Sequence, residues 1–434
     1  MQQLEYKGTV IKECFFDRKN IKKFEAIFTQ GNGYLGIRNA LEEHYVGEIR
    51  DTFITGTFNK ASKEEVTELP NIADASTVKI IVDGEEFSLT EGKICFYERS
   101  LDLTTGESVR NIKWESPKGI KLDIIFRRFV SLDNEHSFVQ KVELLCDKNA
   151  NIIIESGIDG SVTNSGAMHF EDIQRRVYEG RYMEYIAKTT QSNVKIIQGA
   201  VCSLNKEASA IPVMGRRTLA NRYSLKVNAN EKLEFEKKSI FFSERDKEFA
   251  HLQDENRFDE IKRESAKLIR ELETQSYNEL FKRSEAKWQD YFEKSKIDIG
   301  TDDIYVKTFL NQLLDWINEN IDIKNADRKV WRTLETGLRA DYWLRAMSFF
   351  TSHPLITDEI KEKFFYALSI HAKHLATNPK KGFSIKSNWG VMEYAGLYVL
   401  SHVLKNDEYR KKAIYFLKMA LHTQIHDDGM QWEA

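Results

Sequence analysis

The spacing of apolar residues changes once along this chain, and that change limits what it can fold into. From about residue 5 to 243 apolar side chains recur at every second position, whereas from 303 onward they recur at helical spacing. A single sheet or a single bundle cannot satisfy both periods, so the chain reads as mixed and multidomain. STVKIIVDGEEFSL (76–89) alternates around Asp83-Gly84, a pair suited to a tight hairpin turn. Further strand-like runs are KLDIIFRRFVSL, SFVQKVELLC, ANIIIESGI, RYMEYIAKTT, NVKIIQGAVCSL and RYSLKVNA. Many short strands with little helical pattern between them predict a large antiparallel β-sandwich over residues 1–243.

Residues 244–302 are dense in Glu, Lys and Arg, with apolar residues such as Phe258, Ile261, Leu268, Ile269 and Leu272 at helical spacing. This pattern predicts a helical linker with a solvated face. Over 303–434, five amphipathic segments are separated by short connections containing Pro354, Pro379, Gly382 and Asn406. They predict stacked helical hairpins, an incomplete α/α toroid of five helices.

Composition narrows the function classes. The 64 Lys and Arg nearly cancel the 67 Asp and Glu, and a net charge of -3 gives no field for a polyanion, so no nucleic-acid partner is expected. The chain opens without a basic segment leading into an apolar one, and it lacks a run of about twenty apolar residues, so no membrane association and a cytoplasmic location are expected. Cys14, Cys95, Cys146 and Cys202 have no metal-ligand spacing and are expected as buried free thiols. Six of the seven tryptophans lie from Trp288 onward, while all four cysteines lie in the first half.

Several ordered segments carry a family resemblance: FEAIFTQGNGYLGIRNALEE (24–43), DTFITGTFN (51–59), ELPN (68–71), YERSLDLTTGESVR (97–110) and WQDYFEKSKIDIG (288–300). To about residue 310 the chain resembles the amino-terminal sandwich and linker of glycoside hydrolase family 65, which contains inverting phosphorylases of kojibiose, maltose, trehalose and nigerose. The resemblance implies an α-glucoside and inorganic phosphate as co-substrate, with no other cofactor. It would also require an FWD-type substrate motif, a general-acid glutamate and a phosphate-binding loop in the helical part. None of these is found, and Gln431-Trp432-Glu433 only echoes the tryptophan-containing motifs of that barrel.

From about Trp316 a second resemblance takes over, carried by WRTLETGLRADYWLRAM (331–347), KSNWGVMEYAGLYVLSHVL (386–404) and LHTQIHDDGMQWEA (421–434). These resemble the helical domain of heparinase II/III polysaccharide lyases, which cleave uronate glycans by β-elimination. That family places its sandwich after the toroid, the reverse of the order here. The resemblance makes Asn388 the amide that neutralises the uronate carboxylate, a task needing a donor that does not itself take the proton. Glu433 matches an acidic neighbour. The family's tyrosine, in an SPxYH-like stretch, and its later histidine have no match up to Ala434, so the chain is expected to be inactive in both reactions.

Other candidates carry a functional and a plain reading. Asn388 also suits a helix start. Arg339 and Arg345 match carboxylate geometry and could face an acidic sugar, but Glu335 with Arg339 and Asp341 with Arg345 are also i,i+4 pairs that support a helix. Trp343 and Trp389 could stack on sugar rings or fill a core. His371 with His374, and His422 with His426, share helix faces but lack a third ligand, so no metal is expected. Gly31-Asn32-Gly33 with Gly36 lacks the Lys-Ser/Thr of a nucleotide loop and reads as a tight turn beside Arg38. Glu42-Glu43 would point to opposite faces of a strand and so form no dyad. The expected partners are oligo- or polysaccharides, and apolar faces of an incomplete toroid imply homo-oligomers.

Overall fold

The computed structural model of the chain describes residues 3–295, 303–378 and 388–424. They fall into two compact units, Met1–Ser295 and Lys296–Ala434.

The first unit is an antiparallel sandwich. Its large sheet runs in the order Leu4–Lys7, Val10–Glu13, Lys93–Asp102, Ser108–Glu115, Lys121–Val130, Ser137–Cys146, Lys232–Ser243, Lys195–Leu204, Tyr182–Thr189, Phe170–Tyr178. A smaller sheet runs Ile211–Met214, Thr218–Val227, Ala150–Asp159, Val78–Val82, Glu85–Glu86. A third joins Gln30–Gly31, Leu35–Ile37 and Thr52–Ile54. Asp83 (φ 45°) and Gly84 (φ 84°) turn the hairpin that pairs Val82 with Glu85, as the sequence pattern predicts. Trp114, Phe126, Phe138, Ile152, Leu219 and Phe235 belong to the main core.

Burial explains where alternation survives. Thr218–Val227 alternates buried and exposed residues, as a strand with one solvated face must. Lys195–Leu204 is buried almost throughout, because helix α2 (Asp254–Glu273) covers the face that would otherwise meet water. A short helix α1 (Ile21–Ile27) precedes α2, and α3 (Tyr277–Ser295) follows it to pack on Ser137–Cys146. Ile261, Ile269, Leu272 and Tyr277 join Phe129, Val139, Ile197 and Phe242 in one apolar cluster. The charge-rich segment is thus solvated on one side and docked on the sheet by the other. The cysteines are free, but only Cys146 and Cys202 are buried; Cys95 is exposed, because its strand lies near the sheet margin where a bulge between Ile94 and Phe96 breaks the alternation.

The second unit contains, among the described residues, five helices: α4 (Asp303–Asn320), α5 (Thr333–Phe350), α6 (Asp358–Thr377), α7 (Asn388–Val403) and α8 (Asp407–Gln424). Thr357 caps α6, its hydroxyl accepting from the Ile360 amide, with Asp358 and Glu359 in the first turn complementing the helix dipole. Helix α7 packs on its successor α8 and on α5, two helices earlier, so it lies between sequential and non-sequential neighbours. Close approach of α5 and α7 needs glycine: a Cβ on Gly396 would lie 2.6 Å from the Gly337 Cα. No described helix is long and apolar enough to cross a membrane.

Candidate functional site

Most of the candidate residues of the helical unit gather at one end of it. Trp331 and Arg332 precede α5, Asn388 and Trp389 open α7, Trp316 lies in the last turns of α4, and His371 and His374 lie in the second half of α6. The Arg332 guanidinium stacks over the Trp389 ring at 4.5 Å. Glu393, one turn further along α7 and buried, accepts from the Thr333 hydroxyl at 2.6 Å. The Trp331 indole donates to the Asn320 carbonyl at 2.7 Å, closing α4 onto the start of α5.

Arg339 does not form the expected ion pair with Glu335, which pairs with Arg332 at 3.4 Å. Its guanidinium lies over Trp316 at 4.1 Å, donates to the Val330 carbonyl at 2.6 Å and reaches His371 Nε2 at 3.1 Å. The aromatic wall thus outcompetes the carboxylate one turn away. His371 Nδ1 lies 2.8 Å from the Ala367 carbonyl, an atom that only accepts, so Nδ1 donates and Nε2 accepts from Arg339. The ring is therefore neutral, and burial, with Arg339 adding to it, pulls its pKa down to about 3. Burial likewise lowers Arg339 to about 10, opposed by Glu335. His374 Nε2 donates to the Trp331 carbonyl at 2.7 Å. Both histidines spend ring nitrogens on protein partners, so they form a packing device and not a ligand pair.

Trp343 belongs to the core reading: it meets Trp316 edge-on at 5.0 Å and His371 at 5.1 Å. Arg345 lies away from this end, exposed and paired with Asp341 at 2.8 Å. Glu433 and His426 lie outside the described residues. Sequence reasoning missed Trp316, Trp331 and Arg332 as members of the group. The tryptophan enrichment was the available signal, but their convergence is tertiary.

The sandwich holds a second polar centre. Glu42 and Glu43 lie outside any strand and both turn to Arg110, with contacts of 2.6 Å each, correcting the opposite-faces expectation. Arg128 reaches Glu42 at 3.3 Å, and Arg99 meets Glu13 at 2.8 Å. All of these are buried. Burial pushes the Glu43 carboxyl up, but Arg110 outweighs it and holds the group below its ordinary value. Nearby, Asn32 pins its turn by donating to the Ser131 and Glu135 carbonyls and accepting from the Tyr34 and Leu35 amides. Gly33, at φ 92°, supplies the left-handed position that turn needs. Arg38 donates to the Lys22 carbonyl at 2.7 Å, a structural tie.

Comparison with known proteins assigns these parts. The profile of the "Glycosyl hydrolase family 65, N-terminal domain" matches residues 11–291. The chain belongs to glycosyl hydrolase family 65. The "Heparinase II/III N-terminus" profile matches residues 274–434, starting at the turn between α2 and α3 and earlier than Trp316. A kojibiose phosphorylase of Halothermothrix orenii is 37% identical over 305 residues, covering 69% of this family 65 chain and 39% of the relative. The Escherichia coli kojibiose phosphorylase is 28% identical over 291 residues, covering 67% and 37%. The chain thus spans about two fifths of the length of the curated relatives it matches. A solved structure of a putative kojibiose phosphorylase from the human microbiome superposes with a TM-score of 0.60 at 15% identity, covering 98% of this chain and 71% of that one, a likeness of fold.

Proposed function

We propose that this chain serves α-glucoside phosphorolysis, its sandwich being that of an inverting disaccharide phosphorylase with inorganic phosphate as co-substrate and no other cofactor. The supporting observation is the family match over residues 11–291. In such a reaction an acid protonates the glycosidic oxygen while phosphate attacks the anomeric carbon, so an acid and a phosphate cradle must face one sugar. These 434 residues carry no match to the motifs that supply either group. By themselves they release no glucose 1-phosphate, and the chain works as a carbohydrate-associated module, cytoplasmic and self-associating. Incubation with kojibiose, trehalose, maltose or nigerose plus phosphate tests this. The expected yield of glucose 1-phosphate equals the blank, and turnover above it overturns the inactive reading.

A second reading is favoured by the heparinase II/III match over residues 274–434. In it the start of α7 is a uronate-binding end, with Asn388 donating to the carboxylate and Trp389, Arg332 and Arg339 framing the sugar. Glu433 would be its acidic neighbour, and Arg345 would lie outside the contact. A uronate polymer should then bind without being cleaved, and Asn388→Ala should weaken binding at least tenfold. Equal binding by the variant, or growth of the ultraviolet absorbance of an unsaturated product, sinks this version.

A further inference from the structure

His136 leads into the strand Ser137–Cys146, its ring stacked on Phe242 at 4.0 Å with Tyr34 edge-on at 4.6 Å. Its Nδ1 lies 2.7 Å from the Phe241 carbonyl oxygen, which can only accept, so Nδ1 carries a hydrogen. That fixes Nε2 as the nitrogen turned outward, and it meets Glu248 Oε1 at 2.6 Å. A nitrogen lone pair and a carboxylate oxygen repel at that separation unless a positive centre joins them. A proton shared between Nε2 and the carboxylate supplies it, and so does a metal cation.

The surroundings separate the two. Glu135 brings a second carboxylate, and one ligand atom from each of Glu135, His136 and Glu248 lies within 4.8 Å of the others. A cavity of about 500 Å³ is lined by His136 and Glu248 together with His251, Glu260, Glu264, Lys267 and Glu271. Its single lysine is spent on Glu264 at 3.4 Å. Asp246 lies 4.0 Å from the Nδ1 side of the ring and adds to the negative field. A proton would satisfy one carboxylate and leave Glu135 facing Glu248. A divalent cation would satisfy both.

We propose that His136, Glu135 and Glu248 bind a divalent transition cation, with zinc as the reference case and the open coordination position facing the cavity. One imidazole and two carboxylates make a donor set that zinc accepts, and three protein ligands leave a position for water or a ligand. The Nδ1–H contact to a backbone carbonyl is the kind of outer support that fixes a metal-binding tautomer. Glu248 sits in the short turn Lys247–Phe249 between the sandwich and α2, so the cation clamps that connection to the head of the strand after His136.

Zinc chloride titrated into the full chain after chelator treatment and desalting tests the site calorimetrically. One saturable equivalent is expected. Glu135 and Glu248 are exposed, so Glu135→Gln/Glu248→Gln folds like the parent and, losing two direct ligands, should lose more zinc affinity than the ~10–100-fold that removal of an outer support costs. His136→Gln should abolish the nitrogen-ligand signature of cobalt bound in place of zinc. Absence of saturable uptake, or uptake unchanged in the double variant, overturns the proposal and leaves a proton between His136 and Glu248.

Discussion

The sandwich buries Arg110 and the helical unit half-buries Arg339, and the two are accommodated in opposite ways. Arg110 in the sandwich is held between the carboxylates of Glu42 and Glu43. Arg339 in the helical unit lies on Trp316, beside a neutral His371 and a backbone carbonyl, with no carboxylate at ion-pair distance among the described residues. The consequences for acidity are opposite too. Burial works against the charge of Arg110, yet the two glutamates raise it above its ordinary value, whereas burial wins at Arg339 and lowers it to about 10. A sheet interior with fixed ion pairs depends on every partner being present, while an aromatic wall tolerates the loss of the cation it covers.

The largest effect should come from breaking the sandwich pair. Arg110→Met leaves the buried Glu43 without its cation and Glu42 with Arg128 alone, and is expected to cost about 3–5 kcal/mol. Arg339→Met leaves a neutral ring and one carbonyl short of a donor and should cost about 1–3 kcal/mol. Denaturant unfolding of each variant, followed through the transition of its own unit, measures both. Equal losses would erase the distinction between ionic and aromatic compensation.

How the two centres were read from sequence follows the same line. The sandwich, the Asp83-Gly84 hairpin and the five helical segments were legible because each is written in local period and turn chemistry. Strands such as Lys232–Ser243 escaped notice because EKKS interrupts the apolar run, yet Lys237 is buried and donates to the Ala75 and Gly157 carbonyls. Asn388, Trp389 and Arg339 were candidates by resemblance or charge. That Arg339 prefers Trp316 to Glu335 depends on a helix some twenty residues upstream, which no i,i+4 rule contains. The convergence of Glu42 and Glu43 was invisible because the segment belongs to no strand, so strand alternation did not apply.

The second effect distinguishes the units by pH. His371 titrates near 3 in the folded unit against 6.5 when exposed, so below pH 6.5 the unfolded chain binds more protons than the folded one. Stability of the helical unit is therefore complete above pH 6.5 and is lost as the pH falls toward 3, by about 2 kcal/mol at pH 5. His371→Gln should flatten this slope while leaving the acid response of the sandwich unchanged. Parallel slopes in parent and variant would mean that His371 is already protonated in the folded unit.

A third effect concerns packing. Gly396→Ala places a methyl 2.6–2.9 Å from backbone atoms of Gly337, so α5 and α7 must move apart. Overpacking costs about 1–3 kcal/mol, and the better helix propensity of alanine returns up to about 1. A net loss of about 1–2 kcal/mol in the unfolding of the helical unit is expected. A gain would show that this crossing opens more easily than the Arg110 cluster.

The smallest effect isolates what burial contributes to the comparison. Arg345 lies on the same helix as Arg339, less than two turns further along, but its side chain is 72% exposed and its partner Asp341 sits at 2.8 Å in i,i+4 spacing. Water screens such a pair, and holding two long side chains costs entropy, so exposed pairs contribute about 0.3–0.5 kcal/mol. Arg345→Ala should therefore change the stability of the helical unit by less than about 0.5 kcal/mol, alanine's propensity offsetting part of the lost pair. Measured in high salt, the difference from the parent should shrink further, because the interaction is screened. A loss as large as that of Arg339→Met would place the weight on charge itself and not on the aromatic wall. A loss near zero leaves burial as the variable that separates these two arginines, and puts Arg110, buried and doubly paired, at the far end of the same scale.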